Sequence, residues 1–228
     1  MNSMKVCVIS ASLGGYDVEY PWAEQIVPDG VEVEIHRLND SNFPPRAKAM
    51  TPALQCGIPK WHGYESFPGF DWYLWVDASC ALTRGNEVHL WLCEVDAFNP
   101  AGYYDIALFK HPERKHIAEE HEFIKAKMAA GNKYLCSRYE GEWLDEQMSF
   151  IANEAAAYRP LYASTAFIYS PTPPIRAAFK EVAWQKYRFM LHDQLALAYA
   201  LREHSNSIKV INQNYQKSGL VEFVRNKK

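Results

Sequence analysis

The short signatures that usually betray a chemistry are missing from this chain of 228 residues. Its five cysteines, Cys7, Cys56, Cys80, Cys93 and Cys136, are odd in number and never fall in C-x-x-C spacing. That excludes a disulfide framework or a structural zinc site of the usual kind and suits a reducing compartment. There is no G-x-G-x-x-G fingerprint, no glycine-rich triphosphate loop and no H-E-x-x-H pair. Charge of one sign is scarce as well: 24 Lys and Arg against 27 Asp and Glu leave a net charge of −3, so no global field draws nucleic acid or membrane. No apolar run reaches the length of a membrane helix. Met1-Asn2-Ser3-Met4-Lys5 leads straight into an apolar segment without a signal-peptide pattern. The expectation is a soluble cytoplasmic protein, in the host cytoplasm if its source is viral.

Apolar residues are present in plenty, 48% of the chain, with 14% aromatics. The length suits a single domain over 1–228 with a sizeable core. Tryptophan and tyrosine suit sugar stacking or plain core filling equally. The most informative stretch is Phe70-Asp71-Trp72-Tyr73-Leu74-Trp75-Val76-Asp77-Ala78-Ser79. Five large apolar residues without interruption predict a central strand buried on both faces, and Asp77 then lies at the carboxyl edge of a sheet, where open α/β folds bind ligands. Strand-terminal aspartates also cap helices and turns.

Lys5 to Ser10 reads as a first strand, and Ala11-Ser12-Leu13-Gly14-Gly15-Tyr16 as a small-residue turn, either plain or one that lets the backbone approach a ligand. Val31 to His36 alternates like an edge strand, and Arg46 to Leu54 reads as a short helix after Pro44-Pro45, stopped by Gly57-Ile58-Pro59. Arg46-Ala47-Lys48 then falls at a helix start, an anion site or a solvated basic turn. Val88 to Phe98 is ambiguous between helix and strand. Further on, Asp105 to Phe109 is a strand, Ile117 to Ala130 and Leu144 to Ala157 are helices, and Leu161 to Tyr169 is a late strand. Ile175 to Leu201 is helical, as one helix or two, and the tail from Lys209 holds one short strand before a basic, frayed end, Arg225 to Lys228. Two polar clusters remain. His111-Pro112-Glu113-Arg114 with His116, Glu119 and Glu120 follows a strand and suits sugar or phosphate. His192-Asp193-Gln194 interrupts an apolar helical region, either as a buried hydrogen-bond cluster or as a carboxylate presented to a substrate hydroxyl.

In order and spacing these pieces resemble a nucleotide-sugar glycosyltransferase of the GT-A type. More narrowly they resemble the glycosyltransferase-like family that includes plant turgor-regulation and seed-mucilage proteins, with bacterial and phage members. The carriers are Arg46-Ala47-Lys48, Trp75-Val76-Asp77-Ala78-Ser79, His111-Pro112-Glu113-Arg114 with Glu119-Glu120, Leu161-Tyr162-Ala163-Ser164-Thr165, and Asp193-Gln194. The resemblance implies a Rossmann-like α/β fold with a mixed, mainly parallel sheet flanked by helices. It implies a nucleotide-binding part over about 1–100, an acceptor-side part over about 101–205 and a tail over 206–228. The donor it implies is a nucleotide diphosphate sugar, most often a uridine one, held by Ser10, Ala11, Ser12, Arg46, Lys48, Asp77, Ala78 and Ser79. Asp77 takes the first place of an aspartate–any–aspartate motif that holds Mn²⁺ or Mg²⁺, although Ser79 stands where the second Asp belongs, and His204 is a candidate further ligand. Asp193, then Glu120, is the base for the acceptor hydroxyl; His111, Arg114 and Gln194 face the acceptor. That acceptor is a glycan or a modified base in phage DNA, the latter suggested by Lys110, Arg114, Lys115, Lys125, Lys127, Lys133 and Arg138. A non-catalytic nucleotide- or sugar-binding protein of the same fold is the alternative.

Overall fold

The computed structural model describes residues 3–15, 20–46, 48–99 and 103–224. Six strands form one sheet: β1 (Met4–Ser12), β2 (Val31–Asn39), β3 (Trp72–Val76), β5 (Ile106–Lys110), β6 (Tyr162–Tyr169) and β7 (Ile208–Ile211). They lie in the order β2-β1-β3-β6-β5-β7, and β6 alone runs against the others. Two short strands, β4 (Cys80–Ala81) and β8 (Glu222–Phe223), pair antiparallel beside it. The mixed, mainly parallel sheet expected from the sequence is therefore present.

Alternation along the strands explains the unbroken apolar runs. Cys7 and Ile9, Tyr73 and Trp75, Ile106 and Leu108, Phe167 and Tyr169 point to one face. Val6 and Val8, Leu74 and Val76, Ala107 and Phe109, Ala166 and Ile168 point to the other. Both faces are covered, so neither set is polar. The first face packs on α2 (Gly57–Trp61), α5 (Ile117–Ala129), α7 (Leu144–Asn153), α8 (Pro173–Arg188) and α9 (Asp193–Ala200). The second is closed by α4 (Glu87–Glu94) and by Leu220 and Val221 of the tail. β2, with its alternating sequence, is half-exposed at the sheet edge.

Several local expectations are corrected. No helix spans Arg46 to Leu54; α1 is Pro52–Gln55, started by Thr51, whose hydroxyl accepts the Leu54 N–H, and by Pro52 at its first position. The chain after Pro44-Pro45 is instead held by the buried Gln55 amide, which accepts the Arg46 N–H and donates to the Pro44 carbonyl. Gly57-Ile58-Pro59 does not stop the helix but opens α2, because a proline in the first turn removes an N–H that has no helical partner anyway. α3 (Gly63–Ser66) follows. Val88 to Phe98 resolves into α4. Asn132, two residues past the end expected for the preceding helix, caps an unforeseen helix, α6 (Lys133–Tyr139), through the Leu135 N–H. α7 ends at Asn153, four residues before the expected end, where Ala155 takes a left-handed φ of 55°. Ile175 to Leu201 is two helices, broken at Phe189 to His192. The tail holds two strands rather than one, and the expected frayed end at Arg225 to Lys228, like Tyr16 and Ala47, lies outside the described residues.

Candidate functional site

β1 has β2 on one side and β3 on the other, so the chain reverses its direction of winding between β1 and β3. Ligands of open α/β sheets bind outside the carboxyl ends of the strands at such a point. Asp77 follows β3 there, and antiparallel β6 brings its first residues, including Ser164 and Thr165, to the same edge; the Asp77 N–H donates to the Thr165 carbonyl at 2.8 Å. A crevice of about 460 Å³ opens in front of them. Asp77, Ser164, Thr165, Glu120, His192, Asp193 and Gln194 contribute to its floor and walls, while Arg114, Lys127 and Arg138 bring cations and Tyr134 and Tyr139 bring rings.

Lys60 lies beneath this crevice. Its ammonium donates to Asp77 Oδ1 at 3.0 Å and to Asp193 Oδ2 at 2.9 Å, with Ser164 Oγ at 3.5 Å. It also sits over the indole rings of Trp61 and Trp75, 5.3 and 5.4 Å from their centroids. α2 buries Lys60 on the sheet, and the break before α9 places Asp193 at the first position of that helix, where a carboxylate complements the helix dipole. Asp193 Oδ1 accepts a further bond from buried Lys186 of α8. Burial alone raises the Asp193 pKa, but the ammoniums of Lys186 and Lys60 outweigh it and hold the carboxyl well below its usual range. Asp77 goes the other way. Burial pushes it up, and Lys60 and the Trp75 indole N–H, 2.6 Å away, offset that only in part. Lys60 is itself held above the usual lysine value, its burial overcome by Asp193 and Asp77.

A second network adjoins the first through the chain at His192-Asp193. Glu120 in the first turn of α5 accepts from Arg114 Nε, and its other oxygen meets His192 Nε2 at 3.0 Å. Burial pushes Glu120 up, but His192 and Arg114 more than offset it and leave its pKa lowered. Both nitrogens of His111 face donors: Nδ1 accepts from the Arg114 N–H at 2.9 Å, and Nε2 lies 3.1 Å from Arg114 Nη2. Burial first, then the Arg114 charge, pushes the His111 pKa down to about 4. His111 is thus a neutral ring that positions Arg114.

Asp77, Asp193, Glu120, Arg114 and Gln194 are therefore brought together, with His111 directly behind Arg114. Ser10, Ser12 and Ala78 line a separate cleft with Tyr20, Trp22 and Arg37, but its free volume of about 20 Å³ holds roughly one water. Ala11 turns into the core, and the Ser79 carbonyl accepts the Val224 N–H. Arg46 and Lys48 are exposed on the loop that leaves β2 at the carboxyl edge, not on a helix. His204 is not near them. Ile208, four residues later, is level with Ile106, Tyr169 and Tyr73 in the sheet. Asp77 lies four residues beyond Tyr73, about 13 Å along the strand, so His204 belongs to the opposite edge. A shallow hollow of about 670 Å³ outside α5 is lined by Glu113, Glu119 and Glu122 together with Arg114, His116, Phe123 and Tyr158.

The residues around Asp77 do not fit the Mn²⁺ or Mg²⁺ expected there. Asp77 Oδ1 is already bonded to an ammonium and an indole, Ser79 replaces a carboxylate, and His204 is remote. A divalent ion about 4 Å from the Lys60 ammonium meets a repulsion of about 8 kcal/mol at an effective dielectric of 20. Among the described residues, no group of three or more His, Cys, Asp or Glu side chains is placed to hold a metal.

Sequence reasoning missed Lys60 and Lys186, since a buried lysine reveals itself only when the fold supplies its carboxylates. It also missed Arg37, whose Nη2 donates to the Tyr20 carbonyl and whose guanidinium lies over Trp22. The edge strand expected over Val31 to His36 stops one residue short of Arg37 and gave no sign that Arg37 pairs with Ser10 of β1.

Among the described residues no helix is long and apolar enough to cross a membrane, and all five cysteines are free thiols. No protein-family model and no curated protein sequence matches the chain. Among solved structures, the chain is similar to the apo crystal structure of mouse xyloside xylosyltransferase 1, with a TM-score of 0.49 and 11% sequence identity over 91% of this chain and 85% of that one. At that identity and score, the similarity speaks for neither substrate nor mechanism.

Proposed function

We propose that the chain moves a sugar from a nucleotide diphosphate sugar, with uridine diphosphate as the first nucleotide to test, to a hydroxyl acceptor. The observation that supports this best is the crevice at the carboxyl edge, where cations, carboxylates and aromatic rings converge on one volume large enough for a sugar with its diphosphate. In the reaction the bond from the anomeric carbon to the phosphate oxygen breaks, and its electron pair leaves on the diphosphate. Lys127 and Arg138 stand where they offset that charge, and Arg46 and Lys48 approach the same edge from the loop after β2. The acceptor oxygen bonds to the anomeric carbon and gives up its proton late, to Asp193 or to the departing phosphate. Asp193 has little affinity for a proton beforehand, with two ammoniums on it, so its first task is to orient the hydroxyl. Gln194 and Tyr134 flank the acceptor. A glycan hydroxyl is favoured over a DNA base, because Arg114 is paired with Glu113 and Glu120 and Lys125 with Asp145, which thins the basic region.

One observation favours a second reading, nucleotide or sugar binding without turnover: Asp193 and Glu120, the two candidate bases, are both committed to cations. Calorimetric titration of UDP, followed by assay of UDP release from UDP-sugars with a glycan mixture, separates the two. Binding with release supports transfer, and binding without release supports the second reading. Absence of binding by UDP and by other nucleotide diphosphates refutes transfer and leaves only the sugar-binding form of the second reading.

A further inference from the structure

The crevice has an electrostatic peculiarity: two carboxylates from distant parts of the chain, Asp77 and Asp193, meet at one buried nitrogen. Lys60 Nζ lies 3.0 and 2.9 Å from them, and the side chain is 6% exposed. Around that nitrogen are two carboxylate oxygens, the Ser164 hydroxyl at 3.5 Å and two indole faces. A hard divalent ion demands six or more oxygens at short range. Indole faces supply none, whereas they attract an ammonium through the ring quadrupole. The cage is built for an ammonium.

We propose that Lys60 is the resident cation of this site: its ammonium clamps Asp77 to Asp193 in the place a divalent metal ion would take, and ligand capture at the carboxyl edge is metal-independent. Lys60 is a positioning residue, acting through the two carboxylates that face the crevice while its own nitrogen stays beneath them. The clamp joins the end of β3 to the start of α9, so it also fixes the distance between the residue nearest the donor and the residue nearest the acceptor. The statements about ligand capture and about donor and acceptor rest on the transferase reading; the claim about the cation does not.

Mn²⁺ alone, titrated calorimetrically and by water-proton relaxation into the full-length protein, tests the cation claim without any nucleotide. The wild type is expected to show no saturable binding. Lys60→Ala leaves two carboxylates facing a void that water fills, and its Mn²⁺ affinity is expected to rise at least about tenfold, an increase lost again in Lys60→Ala/Asp77→Asn. Saturable binding by the wild type that disappears in Asp77→Asn overturns the proposal. So does a folded Lys60→Ala that gains no Mn²⁺ affinity. If Lys60→Ala does not fold, Lys60→Gln takes its place, and the wild-type titration decides in either case. A parallel titration of UDP with Mn²⁺ and with chelator is expected to agree within about twofold; UDP that binds only with Mn²⁺ overturns metal-independence. Failure of UDP to bind under both conditions counts against the donor reading and leaves the Mn²⁺ titrations to judge Lys60.

Discussion

Removing Asp193 has a cost that depends on which cation is left behind. Lys186 is 5% exposed, and Asp193 is its ion-pair partner, whereas Lys60 keeps Asp77 when Asp193 is lost. Asp193→Asn therefore strands one buried ammonium, and breaking a buried pair in this way costs about 3–5 kcal/mol. Lys186→Met leaves Asp193 with Lys60 and forfeits one charged hydrogen bond, about 1.5–3 kcal/mol. The double variant strands no charge at all. Its loss is expected to fall short of the sum of the single losses by about 2–3 kcal/mol, well outside the margin for independent sites. Urea denaturation reads this directly: at a slope of about 2 kcal/mol per molar, Asp193→Asn lowers the midpoint by about 2 M, and adding Lys186→Met leaves it nearly there instead of lowering it by about 1 M more. Acid adds a second check. Because the folded pKa of Asp193 lies below its unfolded value, the stabilisation is complete above about pH 4 and fades as pH falls below it. The wild type then loses stability more steeply than Asp193→Asn on the acid side. Additivity of the two substitutions within about 0.5 kcal/mol refutes the reasoning.

His111 carries a dependence of the same sign at higher pH. Its pKa is pushed down to about 4, so the stability owed to its neutral form is present above about pH 6.5 and is lost as pH falls towards 4, a change of up to about 3 kcal/mol. His111→Gln is expected to flatten that slope, and the ring resonances of His111 are expected to report a neutral imidazole at pH 5; a protonated ring there contradicts the donor arrangement around it. Gly63 is a packing matter rather than a chemical one. A Cβ on it meets Ile9 Cδ1 at 2.6 Å and the Tyr169 hydroxyl at 3.1 Å, under the stacked Tyr73–Tyr169 pair. Gly63→Ala is expected to cost about 2 kcal/mol, seen as a Tm lower by about 4–8 °C. An unchanged Tm would show that Ile9 repacks freely.

What the sequence revealed divides by the range of the forces involved. β3 and Asp77 were legible because double-sided burial writes itself into consecutive residues, Trp72 to Val76. β6 was legible for the same reason. The helix starts were less so: Pro44-Pro45 promised one that Gln55 prevents by holding the loop from nine residues away. At the site, Asp193 stood out because a polar triplet interrupts apolar neighbours, yet its environment comes from Lys60 and Lys186, 133 and 7 residues away, and only the latter is local. The poor fit of Asp77 to the expected metal has the same origin. A motif shows a carboxylate, and only the fold shows what already lies against it.

The place of β6 has a consequence for synthesis. It alone joins the β2-β1-β3 half of the sheet to the β5-β7 half. Val76 ends β3, and Tyr162 opens β6 86 residues later. At roughly 5–20 residues per second, the ribosome needs about 4–17 s to supply the partner. Through that interval the most apolar strand of the protein has a bare edge, long after its own residues have emerged. A bare apolar edge is a template for another chain. Conditions that slow elongation between residues 77 and 161 therefore act on the yield of folded protein, through aggregation, without altering a single contact in the finished molecule.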